Sequence, residues 1–280
     1  MQIIEKRKIF YILSLLIIIP GIISLAVQGL NLGIDFKGGS VVRVRMDASV
    51  AASDVRAVLN KLDLGEFNVQ KSGDEFLIRT RELTQEQTKD LIKTLEDNFK
   101  KVEFLSAESV GATIGSELTR NAVLSLLIAA VLMLIYISIR FEWSFGVAAV
   151  TAVIHNVLVV LGVFSLFRWQ VNSAFIAAML TVIGYSINDT IVIFDRVREN
   201  LRTSRYKGDY TALLNKSIMQ TLNRSVNTVL TSVFALLALM AFGGSTIKLF
   251  VLAMLIGFTV GCYSSIFIAG SVWYEIKSRA

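Results

Sequence analysis

The stretch Phe175–Phe194, FIAAMLTVIGYSINDTIVIF, is long and apolar enough to cross a bilayer, yet it carries a carboxylate, Asp189. An ionisable group inside hydrocarbon costs on the order of 2.5–3.5 kcal/mol on insertion scales. Such residues face a bundle interior or a water-filled path, and they often mark a route for ions, protons or substrate. The flanking words are Gly184-Tyr185-Ser186-Ile187-Asn188-Asp189-Thr190 and Phe194-Asp195-Arg196-Val197-Arg198-Glu199-Asn200. The plainer reading is a buried polar knot that locks two helices together.

Outward from this run, five more segments have the length and composition of spans: Ile9–Val27, Ala122–Ile139, Phe145–Phe167, Val226–Phe242 and Leu249–Tyr274. Over 280 residues the chain is 54% hydrophobic with a mean hydropathy of +0.62, more apolar surface than a soluble protein of this size needs. The predicted fold is a polytopic α-helical membrane protein. It has six transmembrane helices and a small α+β extracytoplasmic domain between the first two. Residues 1–29 form the cytoplasmic N-terminus and first span, and 30–120 the outer domain. Residues 121–280 hold the other five spans, with a cytoplasmic loop at about 197–221 and a cytoplasmic C-terminus.

Charge placement sets that orientation and argues against nucleic acid as a partner. The net charge is +6, but residues 30–120 carry 13 Lys/Arg against 15 Asp/Glu, and the rest carries 15 against 7. The basic excess sits beside span ends, at Lys6-Arg7-Lys8, Arg140, Arg196 to Lys207, Lys277 and Arg279. That is the positive-inside pattern, and it places both termini in the cytoplasm. The basic-then-apolar N-terminus also fits a cleaved signal peptide, with Ser24-Leu25-Ala26 as a small-residue site. The apolar run is long for a signal, so a retained anchor is expected. Cys262 is alone within a span, so no disulfide framework is expected.

The outer segment reads β-α-β-β-α-β, the ferredoxin-like order. Ser40–Met46 alternates as a strand, Ser53–Leu62 has helical spacing, and Phe67–Gln70 and Phe76–Thr80 flank the turn Lys71-Ser72-Gly73-Asp74. Thr84-Gln85-Glu86-Gln87 is a capping box that opens a helix, and Val102–Leu105 closes the pattern as a strand. No catalytic grouping is present there, so its job is to bind, to move, or simply to space. Two glycine-bearing connections, with Gly38 and Gly39 on one side and Gly111 and Gly115 on the other, are hinge candidates or ordinary tight turns. Pro20, next to Gly21, is expected to kink the first span.

Within the membrane, Asp189 and Asn188 on the fourth span, Arg224 at the start of the fifth and His155-Asn156 in the third are candidates for one polar site. Asp195 follows six residues after Asp189. Asp189 precedes Arg196 by seven residues, which puts it roughly 10 Å inside the cytoplasmic end. A carboxylate whose surroundings alternate between paired and unpaired loads and releases a proton. The alternatives are a static Asp–Arg pair, or an Arg224 that anchors at the interface. A lone His in a span is more often a hydrogen-bonded packing residue than a relay. Gly146, Gly162, Gly257 and Gly261 permit close helix contact. There is no phosphate loop, nucleophile triad or metal cluster in the pattern, so neither an enzyme nor a cofactor is expected. Gly184–Asn200 has no second copy in the chain, and transporter sites lie between two repeated halves, so a second membrane subunit is expected.

These residues carry a resemblance. Gly33-Ile34-Asp35-Phe36-Lys37-Gly38-Gly39, Gly111 to Leu118, Gly184 to Asn200, Arg224 with Thr228, Phe242-Gly243-Gly244 and Tyr263-Ser264-Ser265 occur in order. Across its whole length the chain resembles the SecF family of bacterial protein translocase subunits, within the resistance-nodulation-division superfamily. The resemblance implies a SecD-like partner, a place beside the SecYEG channel in the inner membrane, and an exported polypeptide as cargo. It implies use of the proton gradient, with Asp189 and Arg224 on the proton path and the proton as coupling ion. Where relatives have His-Asp in the third span, this chain has His155-Asn156, which puts a relay at that point in doubt. Two other readings stand beside it: a purely structural translocon subunit, and a proton-coupled small-molecule exporter working as an oligomer.

Overall fold

The computed structural model describes residues 2–203 and 209–279, and it divides into two compact units. One comprises Leu32–Ala122, and the other draws on both ends of the chain. After α1 (Arg7–Gln28), which belongs to the larger unit, the smaller unit follows. It runs β1 (Gly39–Arg45), α2 (Ala52–Leu59), β2 (Asn68–Ser72), β3 (Glu75–Thr80), α3 (Gln85–Asn98) and β4 (Glu103–Val110). The sheet order is β2-β3-β1-β4, and every neighbouring pair is antiparallel.

Alternation explains its core. Val42, Val44 and Met46 point to one face with Phe76 and Ile78, where Val55 and Leu59 of α2 and Leu91 and Leu95 of α3 cover them. Helix α3 starts at the capping box: Thr84 Oγ1 accepts from the Gln87 N–H at 3.2 Å, and Gln87 Oε1 accepts from the Thr84 N–H at 2.9 Å. The hairpin turn is tighter than the sequence suggests, with only Gly73 and Asp74 between β2 and β3 and Gly73 at φ +67°. Strand β4 runs to Val110 rather than Leu105, because its pairing with β1 continues to Gly39↔Val110 past an irregularity at Arg43/Val44.

The larger unit adds α4 (Ala112–Arg140), α5 (Trp143–Leu166), α6 (Ser173–Thr203) and α7 (Tyr210–Phe242). The last helix is α8 (Lys248–Tyr263), a π-helical stretch Ser264–Ala269 and α9 (Gly270–Arg279) in succession. With α1 these make, among the described residues, six helices long and apolar enough to cross a membrane. Helix α1 is continuous through Pro20, so the expected kink does not break it. Next to the proline, Gly21 meets Gly162 of α5 so closely that a Cβ on either would lie 2.8 Å from the other's Cα. Ser24 and Ser165 bond across the same pair at 2.7 Å. At the other end an aromatic cluster is fully buried, with Phe145 stacked on Trp273 and tilted against Phe194.

The expected loop at 197–221 is mostly helix. Helix α6 continues to Thr203 and α7 begins at Tyr210, because buried Val197 and Asn200 face buried Leu213, Leu214, Ser217 and Ile218 beyond the apolar run. Asn200 Nδ2 donates to Ser217 Oγ at 2.8 Å and to Gln220 Oε1 at 2.9 Å. The Asp209 carboxylate caps α7 by accepting from the Ala212 N–H at 2.9 Å. Residues 204–208, with Arg205 and Lys207 of the expected basic loop, lie outside the described residues.

Candidate functional site

Helix α6 is gripped by its neighbours where its polar word begins. A Cβ on Gly257 of α8 would overlap the Val182 side chain, and one on Gly261 would lie 3.2 Å from Ser186 Cβ. The close approach lets Ser265, in the π-helical stretch, bond Thr190 Oγ1 at 2.8 Å and donate to the Ser186 carbonyl at 3.2 Å. A π-helical turn inside an α-helix is a common device for placing side chains at functional sites.

Asp189 is 9% exposed. Its Oδ1 accepts from Ser225 Oγ of α7 at 2.5 Å, while Oδ2 has no hydrogen-bond partner among the described residues. Asp189 and Asn188 line a cavity of about 80 Å³ with Tyr185, Val192, Arg224 and Thr228. Arg224 forms no ion pair with Asp189, although the two share that cavity. Asp195 is exposed and lines an adjoining cavity of about 410 Å³, which shares Val192 and Arg224 with the first.

His155 lies apart from this cavity. Its Nε2 is 2.9 Å from Ser14 Oγ of α1, its Nδ1 is 3.2 Å from Asn156 Oδ1, and its ring stacks on Tyr263. Asn156 Nδ2 then donates to Ser186 Oγ at 2.7 Å. A buried polar chain thus runs from Ser14 through His155, Asn156 and Ser186 to Thr190 and Ser265, beside Asp189.

The structure therefore brings Asp189, Asn188 and Arg224 together, places Asp195 next door and joins His155 only through intermediaries. Ser225, Ser186, Thr190 and Ser265 were not singled out as site residues from the sequence. A signal for Ser225 was present: Ser217, Thr221 and Ser225 recur every four residues and form a buried hydroxyl stripe on α7. Chemically, an ionised Asp189 leaves one buried oxygen without a donor, which is costly. Protonation at Oδ2, or a swing of the Arg224 guanidinium into the shared cavity, removes that cost.

Residues 90–279 match the family "Protein export membrane protein SecD/SecF, C-terminal", and residues 23–50 match "SecD/SecF GG Motif". The chain belongs to the SecD/SecF family. It is 43% identical over 286 residues to the protein translocase subunit SecF of Acidaminococcus fermentans, covering 99% of this chain and 98% of that one. It is 39% identical to the protein translocase subunit SecDF of Bacillus subtilis, matching 98% of this chain but 38% of the longer one. The crystal structure of SecDF, a translocon-associated membrane protein from Thermus thermophilus, superposes with a TM-score of 0.93 at 36% identity. That match covers 100% of this chain and 39% of the SecDF chain. Family membership and the six apolar helices together make this a multi-pass membrane protein.

The region matching the SecD/SecF GG motif includes Gly38 and Gly39, whose geometry explains the glycines. Gly39 opens β1 at φ +116°, and a Cβ there would lie 2.6 Å from the Thr80 carbonyl oxygen. Gly38, at φ +76°, has Ala112 Cα 3.0 Å from where its Cβ would be. Gly111 is the single residue between β4 and α4, and a Cβ on Gly115 would lie 3.0 Å from the Phe36 carbonyl oxygen. All four hinge candidates thus belong to one packed junction within the smaller unit.

Proposed function

We propose that this chain is an accessory, non-enzymatic subunit of Sec protein export in the bacterial cytoplasmic membrane. In this reading it works with a SecD-like partner beside the SecYEG channel and uses the proton gradient to help an exported polypeptide across. The observation that carries the energetic part is Asp189: a buried carboxylate with one oxygen held by Ser225, the other unbonded, and Arg224 within the same cavity. The proton path runs through Asp189, Arg224 and Asn188, with Asp195 at the cytoplasmic mouth and His155 as the far end of the polar chain. No cofactor enters, and the coupling ion is the proton.

Relatives in which SecD and SecF form one chain support the partner, since this chain matches only about two-fifths of such a protein. Both termini are placed in the cytoplasm, following the basic residues beside the span ends. The smaller unit is placed outside as a ferredoxin-like domain, with the glycine junction at Gly38, Gly39, Gly111 and Gly115 as its hinge.

Membrane vesicles lacking the chain provide the test. Restoring it raises export of a secreted protein only while a proton gradient is maintained, and an uncoupler removes the gain. A gain that survives the uncoupler favours a purely structural subunit.

A further inference from the structure

The end of α6 beyond Phe194 carries a basic groove, next to the carboxylate site and sharing Asp195 with it, whose arginines that site leaves unused. Arg140, Arg198 and Arg202 line a cavity of about 320 Å³ together with Asp195, Glu199 and Thr203. Arg198 Nη1 donates to the Arg140 carbonyl at 3.3 Å. The Arg198 and Arg140 guanidinium groups lie over the Phe141 ring, 5.5 and 5.3 Å from its centroid. Backbone and ring therefore hold these two cations in place without consuming their charge. Arg196 neutralises Glu199 at 2.8 Å, and no ion pair to Arg140, Arg198 or Arg202 forms among the described residues. Asp195 is the remaining acid in the lining.

The groove lies where the apolar surface of α4 ends. Arg140 is the last residue of α4, directly after exposed Leu132, Ile135, Tyr136 and Ile139, and exposed Trp143 follows it. Apolar helix surface thus gives way to converging guanidinium groups at an aromatic-marked boundary, where headgroups lie. The planar fork of arginine matches phosphate oxygens, and basic pockets between helices at this depth suit anionic headgroups. Inorganic phosphate offers the same oxygens but nothing for the apolar face of α4.

We propose that this groove binds the phosphodiester of an acidic phospholipid, whose acyl chains lie along the exposed face of α4. The test uses the full chain purified in a neutral detergent and titrated with dioctanoyl phosphatidylglycerol, dioctanoyl phosphatidylcholine or inorganic phosphate, with binding read by native mass spectrometry. Phosphatidylglycerol is expected to bind saturably, phosphatidylcholine not to bind, and inorganic phosphate not to displace the lipid. Each Arg→Gln change at 140, 198 and 202 is expected to weaken binding about fivefold. The double variant Lys6→Gln/Lys8→Gln, which removes charge at another helix end, leaves binding unchanged. If the Arg140→Gln and Arg198→Gln variants fail to fold, Arg202→Gln alone carries the test, because that side chain is exposed. Equal binding of phosphatidylcholine, full displacement by phosphate, or wild-type affinity in the arginine variants would overturn the proposal.

Discussion

Replacing Asp189 by asparagine abolishes the gradient-dependent part of export while the chain still assembles with its SecD-like partner. The substitution is nearly isosteric, so the site keeps its packing. Asparagine retains a carbonyl oxygen that accepts from Ser225, which preserves the hydrogen bond that Ser225 makes to the native side chain. What it loses is the capacity to bind and release a proton at Oδ2. The expected pattern is export at the level seen with an uncoupler, whether or not a gradient is present, and normal co-purification of the partner. Unchanged gradient-dependent export would remove Asp189 from the proton path and leave the structural-subunit reading ahead. Loss of assembly together with loss of export would show a packing role instead.

Replacing Gly39 by alanine destabilises the smaller unit by about 2–5 kcal/mol, the sum of a left-handed backbone penalty and an overpacking cost. Two features add here: φ is +116°, and the new Cβ would meet the Thr80 carbonyl oxygen at 2.6 Å, on backbone that β1 and β3 hold in register. Gly73→Ala is the matched control. Gly73 also has a positive φ, +67°, but nothing lies within 4 Å of a Cβ there, so only the backbone penalty of about 1–2 kcal/mol applies. Limited proteolysis of the full chain during heating reads both. Equal losses in the two variants would show that the close approach at Thr80 carries no cost.

The sequence and the structure part company at helix ends and at hydroxyl groups. The six helices were legible because hydrocarbon thickness demands apolar runs of about 20 residues, and such runs stand out in any chain. Their ends were not, because α6 and α7 extend past the hydrocarbon on an amphipathic stripe of Val197, Asn200, Leu213, Leu214 and Ser217. That stripe reads as loop when apolar length alone is counted. Asp189 and Arg224 stood out because charge in a span is costly. Ser225 did not, because a hydroxyl in a span can always satisfy itself on its own helix and so costs little. Its sequence signal was the weaker one of four-residue spacing from Ser217 and Thr221, and only the fold shows that it donates to Asp189. The link from Ser14 to His155 joins residues 141 apart in sequence, a pairing that no local pattern encodes.

Hinge candidates Gly38, Gly39, Gly111 and Gly115 show the same limit from the other side. Glycine spacing marked the junction, but only the fold reveals why a Cβ is excluded at three of the four places; at Gly111 it would make ordinary contact with the Glu82 side chain. At Gly39 and Gly115 the neighbour is a carbonyl oxygen, of Thr80 and Phe36 in turn, and at Gly38 it is Ala112 Cα.

Proton coupling through Asp189 requires that its protonation state change with the gradient. Infrared difference spectroscopy on proteoliposomes holding the chain with its SecD-like partner measures this, as the pH on one side of the membrane is stepped. The predicted result is a protonated-carboxyl C=O band that grows and fades with the step and is missing from Asp189→Asn. A spectrum with no such band, in a preparation whose export still depends on the gradient, would contradict it.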